Sequence, residues 1–188
     1  MFKDALYQVE YRRATRAAVR AAAPAPPRLS RRDRGMVTWE LAMPTPAPTV
    51  FMCAEGDPTD GDAFVVHVAG DAFYLAMLRA VRVLRTSAHG RSCMARADMH
   101  RDYKFHHAVN GFARTNGNPV PLAEPVIGKD RRGQVVVSDF QNGITRTYWL
   151  LANGCPAFPV LVQGEAQAEL LATQAGVGLQ AFRELFAA

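Results

Sequence analysis

Val135-Val136-Val137-Ser138-Asp139-Phe140-Gln141-Asn142-Gly143-Ile144-Thr145-Arg146, running on through Thr147-Tyr148-Trp149-Leu150-Leu151-Ala152 to Asn153-Gly154, is the stretch on which the fold turns. Three consecutive valines are apolar enough for a strand buried on both faces. Asn142-Gly143 interrupts that strand, and the residues beyond it form a helix from about Gly143 to Ala152 that Asn153-Gly154 stops. A strand that turns into a helix leaves several backbone N–H groups without intrahelical partners and aimed at one point, where anions bind. Gly143 lets a ligand approach the backbone, Thr145 adds a hydroxyl, and Arg146 adds a guanidinium able to hold two phosphate oxygens at once. The dipole of the helix contributes about 0.3–1 kcal/mol toward a negative ligand. The plainer alternative has Asn142 capping the helix, Thr145 solvated, and Arg146 paired with a carboxylate such as Glu124.

Downstream, Phe158 to Val162 reads as another buried strand, and Glu165 to Ala175 as a helix with Ala168, Leu170, Leu171 and Ala175 inward. Gly176 and Gly178 separate that helix from a final amphipathic turn carrying Leu179, Phe182, Leu185 and Phe186. Upstream, Val120 to Leu122 is a short strand and Asp130-Arg131-Arg132-Gly133 a polar turn. A helix is expected over Asp102 to Arg114 with Tyr103, His106, Val109 and Phe112 on its buried side. Asp71 caps another in which Phe73, Met77, Val81 and Leu84 recur at helical spacing, with Arg79, Arg82 and Arg85 along a different face. Val50 to Ala54 and Ala63 to Val68 flank a stretch dense in turn residues and predict a hairpin or two neighbouring strands. Val37, Trp39, Leu41 and Met43 alternate with smaller or polar residues, the pattern of a half-buried strand. Residues 1–35, with Arg12, Arg13, Arg16 and Arg20, then Ala21 to Pro27, then Arg28, Arg31, Arg32 and Arg34, predict a basic arm and a Pro-rich linker ahead of one α+β domain over 36–188. Arg28, Arg31, Arg32 and Arg34 suit a solvated loop and could also grip phosphates.

The chain has 188 residues, 49% of them hydrophobic, which suits a single domain with a sizeable core. Lys plus Arg number 22 against 17 Asp plus Glu, most of the bases being Arg, so the formal charge of +5 favours phosphate-rich or acidic partners. Cys53, Cys93 and Cys155 form no CxxC pair, which argues against a disulfide framework or a zinc ribbon and for a reducing cytoplasm. No apolar run is long enough to predict a transmembrane span, and no export signal is expected. Cys93, His100, His106 and His107 cluster, but at spacings that match no common zinc pattern. Arg101, Lys104 and Arg114 alternate with Tyr103 and Phe105 in the manner of single-strand DNA binders, although an ordinary amphipathic helix reads the same way. The P-loop pattern and the Gly-x-Ser-x-Gly elbow are both missing.

In their order along the chain, Asn118-Pro119-Val120-Pro121-Leu122-Ala123, Val135 to Asp139, Gly143-Ile144-Thr145-Arg146 and Phe158-Pro159-Val160 resemble the core of the ParB/sulfiredoxin superfamily. That core has a proline-containing strand, a second strand, a Gly-x-x-Arg turn at a helix start, and a strand opening with Phe-Pro-Val. Within it, residues 118–123 and 145–154 resemble the plasmid fertility inhibition factors, a family that includes oncogenic-suppression proteins. The likeness spans roughly residues 103 to 175. It implies a mixed small sheet flanked by helices with an N-terminal extension, and it carries Gly143 and Arg146 over as phosphate binders. Ile144 and Thr145 stand where sulfiredoxin has Cys and His, so its thiol chemistry is not expected. The Glu and further Arg of the ParB turn are also absent.

The family further implies inhibition of conjugative or T-DNA transfer through a type IV secretion system, with ATP hydrolysis and DNA cleavage, in the cytoplasm or peripheral to the inner membrane. Hydrolysis of this kind needs charge neutralised on the phosphoryl oxygens and a positioned water, usually with a divalent metal. The expected phosphate ligands are Asn142, Gly143, Thr145, Arg146 and Thr147. Asp139, Glu124 and Arg146 are the expected catalytic groups, and Asp139 the expected ligand of Mg2+. The rival reading is a non-enzymatic inhibitor that docks on the coupling protein of the secretion machine.

Overall fold

The computed structural model describes residues 4–20, 22–33, 35–45, 49–56, 61–83, 93–114 and 117–186. It is an α+β structure in which three sheets, rather than one, share a common core. β1 (Arg28–Asp33), β2 (Met36–Leu41) and β3 (Val50–Glu55) run antiparallel, and β5 (Val120–Pro121) adds to β3 in parallel. β4 (Ala63–Ala69) is the centre of a second sheet, between β8 (Ala157–Gln163) and β9 (Gly176–Ala181). β6 (Glu124–Lys129) and β7 (Val135–Asn142) form a hairpin closed by the 130–133 turn. A parallel bridge between Ala123 and Val160, with Leu161 N–H donating to Ala123 C=O at 2.9 Å, ties the β5–β6 connection to β8. Trp39, Met52, Phe73, Met77, Leu150 and Phe158 are fully enclosed between these layers.

Several expectations are corrected. The basic arm is helix α1 (Asp4–Arg20), and it packs on α2 (Gly70–Val83) through Tyr7, Tyr11, Ala14 and Ala18. These four positions repeat at helical spacing, but two are alanines, so the stripe is faint beside the arginines. Tyr7 donates its hydroxyl proton to Leu78 C=O at 2.9 Å, and the Tyr74 hydroxyl donates to buried Glu10 at 3.2 Å. The Arg28–Asp33 segment is not a loop but an exposed edge strand paired to β2. β3 and β4 are not a hairpin, since each belongs to a different sheet. Residues 176–181 form a strand rather than a turn, with Leu179 exposed and Phe182 and Leu185 of α6 (Phe182–Phe186) buried as expected. Gly178 permits this pairing, because a Cβ there would lie 3.3 Å from the ring of His67.

The helix expected over 102–114 is split. A 3₁₀ turn over Arg96–Arg101 leads to extended Asp102, and α3 begins only at Phe105 and ends at Phe112. This shift turns the helix: Ala108 and Phe112 are buried, whereas Tyr103, His106 and Val109 face solvent. Leu84 and Arg85, expected on α2, lie outside the described residues.

His67 on β4 meets the Trp39 ring edge-on at 5.9 Å, and its Nε2 is buried without a hydrogen-bond partner. Burial lowers the imidazole pKa in the folded chain. The unfolded chain therefore takes up the proton first on acidification, and stability is full above the ordinary imidazole pKa and is lost as pH falls through it toward the folded value. Thermal melts at pH 7.5 and pH 5.5 are expected to show this acid loss in wild type and a smaller one in His67→Gln.

Candidate functional site

α4 (Ile144–Ala152) starts where β7 meets the bridge residue Ala123. Gly143 occupies the N-cap in the left-handed region, with φ 88° and ψ 15°. A Cβ on it would stand 2.7 Å from Ala123 Cα and 2.8 Å from Ala123 Cβ, so the glycine admits the protein's own chain. No side chain caps α4, so Asn142 does not play that part; its Oδ1 accepts from Arg146 Nη2 at 3.4 Å. The amides of the first turn, which have no intrahelical acceptor, remain to bind an anion.

Arg146 does not pair with Glu124 by hydrogen bond. Its Nη1 donates to Pro121 C=O at 2.6 Å and Leu122 C=O at 2.8 Å, clamping α4 to β5. Burial lowers the pKa of the guanidinium, and the carboxylate of Glu124 opposes that shift. An arginine under these conditions keeps its charge. Part of its donor set thus serves the fold, and the remainder adds positive charge to the turn.

In front of the turn lies an open groove of about 530 Å3. One wall is the start of α4 with Asn142, Gly143, Thr145 and Arg146; the other is Asp102, Lys104, His107 and Gly111 from the segment entering α3; Phe140 and Val120 add apolar surface. Asp102 joins the walls, its Oδ1 accepting from the Thr145 hydroxyl at 3.2 Å and from Lys104 N–H at 3.1 Å. Lys104 projects its ammonium 5.2 Å from the centre of the exposed Tyr103 ring.

Of the residues expected at the site, Asn142, Gly143, Thr145, Arg146 and Lys104 line the groove, and Thr147, Asp139, Glu124, Arg101 and Arg114 do not. Thr147 is fully buried and bonds back to Gly143 C=O at 3.1 Å, as a helix residue four positions on can do. Asp139 sits opposite Val126 in the β6–β7 ladder and accepts from Phe140 N–H at 2.8 Å. Glu124 sits opposite Asn142 and acts on Arg146 through charge alone. Arg101 pairs with Asp98 at 3.0 Å, and Arg114 is exposed beyond the end of α3. The carboxylate that does line the groove, Asp102, lies 43 residues from Thr145 and carries no local signal beyond its place ahead of a helix.

The structure places Asp139, the expected ligand of Mg2+, away from the groove, where Asp102 is the carboxylate present. Among the described residues no three His, Cys, Asp or Glu side chains converge. The His106 and His107 rings lie tilted against each other with centroids 4.1 Å apart, both exposed, while Cys93 is buried with its thiol pKa pushed up.

Residues 65–176, which contain both walls of the groove, match the profile of the plasmid fertility inhibition factors. The chain belongs to this family. Protein osa of Shigella flexneri is 39% identical over 141 residues, spanning 75% of this chain and 69% of that one. A crystal structure of an oncogenic suppression activity protein, described as a plasmid fertility inhibition factor in a gold(I) cyanide derivative, superposes with a TM-score of 0.80 at 31% identity. It covers 96% of this chain and 93% of its own. Among the described residues of this fertility inhibition factor, no helix is long and apolar enough to cross a membrane.

Proposed function

We propose that this fertility inhibition factor blocks conjugative and T-DNA transfer through a type IV secretion system by binding the phosphates of ATP in the groove at α4 and hydrolysing it, coupled to DNA cleavage. The observation that carries this reading is convergence: the uncapped start of α4, Thr145 and Lys104, from two segments distant in sequence, line one groove. Backbone amides and a lysine aimed at one point neutralise phosphoryl oxygens without needing a P-loop. Arg146 holds the turn in place and adds its charge. With Asp139 and Glu124 outside the groove, Asp102 becomes the group that orients or deprotonates the attacking water. The arrangement of β5, β7, α4 and β8 about the Gly143–Arg146 turn supports a ParB/sulfiredoxin type of fold. Lys104, flanked by exposed Arg101 and Arg114, would meet a DNA backbone entering the same groove.

The occupation of Arg146 Nη1 by Pro121 and Leu122 favours a second reading, in which the turn is chiefly structural and the protein docks on the coupling protein. ATP binding by calorimetry and turnover with and without magnesium separate the two. Lys104→Ala is expected to weaken ATP binding about tenfold, close to the net worth of one charged hydrogen bond. Wild type that neither binds nor turns over ATP removes the enzymatic reading and leaves docking.

A further inference from the structure

α1 turns a row of arginines outward from a rigid base. Its inner side is fixed to α2 by Tyr7, Glu10 and Ala14, and its exposed side presents Gln8, Val9, Arg12, Arg13, Arg16, Val19 and Arg20. At about 100° per residue these positions fall within an arc of about 140°, and Arg12, Arg16 and Arg20 follow one another about 6 Å apart along the axis. No acidic side chain stands among them. Elsewhere Arg28 is paired with Glu40, Arg31 with Asp33 and Arg101 with Asp98, and the exposed arginines without an ion pair among the described residues, Arg32, Arg114, Arg131, Arg132 and Arg183, are spread over separate segments rather than gathered on one helix face. Arg13 leans on Glu10 at 3.6 Å, but Arg12, Arg16 and Arg20 have no ion pair among the described residues. Four arginines, Arg12, Arg13, Arg16 and Arg20, thus stand together on one helix face.

We propose that this face of α1 docks on the phosphate backbone of a nucleic acid, as a surface distinct from the groove at α4. Guanidinium groups are weakly hydrated and match phosphate oxygens two at a time, and a helix that is already packed loses little freedom in offering them. A lipid surface fits less well. A helix that lies on a membrane buries its apolar face there, and the apolar face of α1 is already spent on α2, with Val9 and Val19 the exposed large apolar side chains among its described residues. An acidic protein surface fits less well too, since the face has no aromatic or other large anchor for a hot spot.

The test is the triple variant Arg12→Gln, Arg16→Gln and Arg20→Gln in the full chain, with Arg16→Glu as a second variant. Fluorescence anisotropy with labelled duplex and single-stranded oligonucleotides is followed over about 50–200 mM salt. The plot of log K against log salt is expected to become shallower by about 2–3 units on duplex for the triple variant, since each lost phosphate contact removes about 0.9. Affinity at moderate salt should fall at least about tenfold, with thermal melts and ATP binding unchanged. An unchanged slope overturns the proposal, as does a wild type that binds neither oligonucleotide. So does an arginine-dependent affinity for phosphatidylcholine vesicles containing phosphatidylserine that exceeds the affinity for DNA. Loss of ATP binding in Lys104→Ala with the salt slope of wild type on DNA would touch only the groove.

Discussion

Gly143→Val is expected to remove about 2–5 kcal/mol of stability, through the left-handed backbone cost of about 1–2 kcal/mol and overpacking of about 1–3 kcal/mol. The first contribution follows from φ at 88°, which a β-branched residue adopts poorly. The second follows from the atoms a Cβ would meet: Ala123 Cα at 2.7 Å and Cβ at 2.8 Å belong to a residue bridged to Val160 and cannot swing aside as a side-chain tip can. For a domain whose whole stability is about 5–15 kcal/mol, this is a large share. Gly133 is the control. Its φ is 74° but nothing lies within 4 Å of a Cβ there, so Gly133→Ala should show the backbone cost alone. Urea denaturation midpoints compare the two, and equal losses at both glycines would mean that Ala123 yields and that the turn is not pinned to the bridge. In the folded fraction of Gly143→Val, ATP binding should also fail, because the first turn of α4 is moved with its amides.

How much of this was legible in the sequence depended on how local each signal is. β7, α4, β8 and α5 could be read because three valines, a helical run and Asn153-Gly154 announce themselves within a few residues, and the structure places them within one or two residues of the expected bounds. β6 could not, since Glu124-Pro125-Val126-Ile127-Gly128-Lys129 has a proline and a glycine inside it and becomes a strand by pairing with β7. β9 was hidden in the same way by Gly176 and Gly178. α3 was located but turned, because the 3₁₀ segment ahead of it delays the helix to Phe105 and so changes which side faces the core. At the site, the α4 wall was readable as a strand-to-helix corner. The opposing wall was not, because Asp102 and His107 reach the groove only through tertiary packing of the segment entering α3. Gly143 was read as room for a ligand, and its closest neighbour is Ala123. Thr147 was read as a phosphate ligand by proximity, yet one helical turn carries it to the buried side.

Asp102→Asn separates the chemical role of the groove from its shape. Asparagine keeps an oxygen where Asp102 Oδ1 accepts from Thr145 and Lys104, so the two walls should stay joined. It loses the negative charge, which repels phosphates in the groove, and the capacity to take a proton from water. Binding and turnover are therefore expected to move in opposite directions. ATP binding should tighten about fivefold, for about 1 kcal/mol of relieved repulsion at a half-exposed site. Turnover should fall by about 100-fold or more, the contribution typical of a positioned general base. Asp139→Asn and Glu124→Gln, which alter carboxylates outside the groove, should leave turnover within about threefold of wild type, a change of under about 0.7 kcal/mol in the barrier. A loss of binding together with turnover in Asp102→Asn would make Asp102 a brace between the walls. Unchanged turnover would move the proton-accepting group elsewhere. Only tighter binding with collapsed turnover identifies a carboxylate that opposes the substrate's charge and acts on its water.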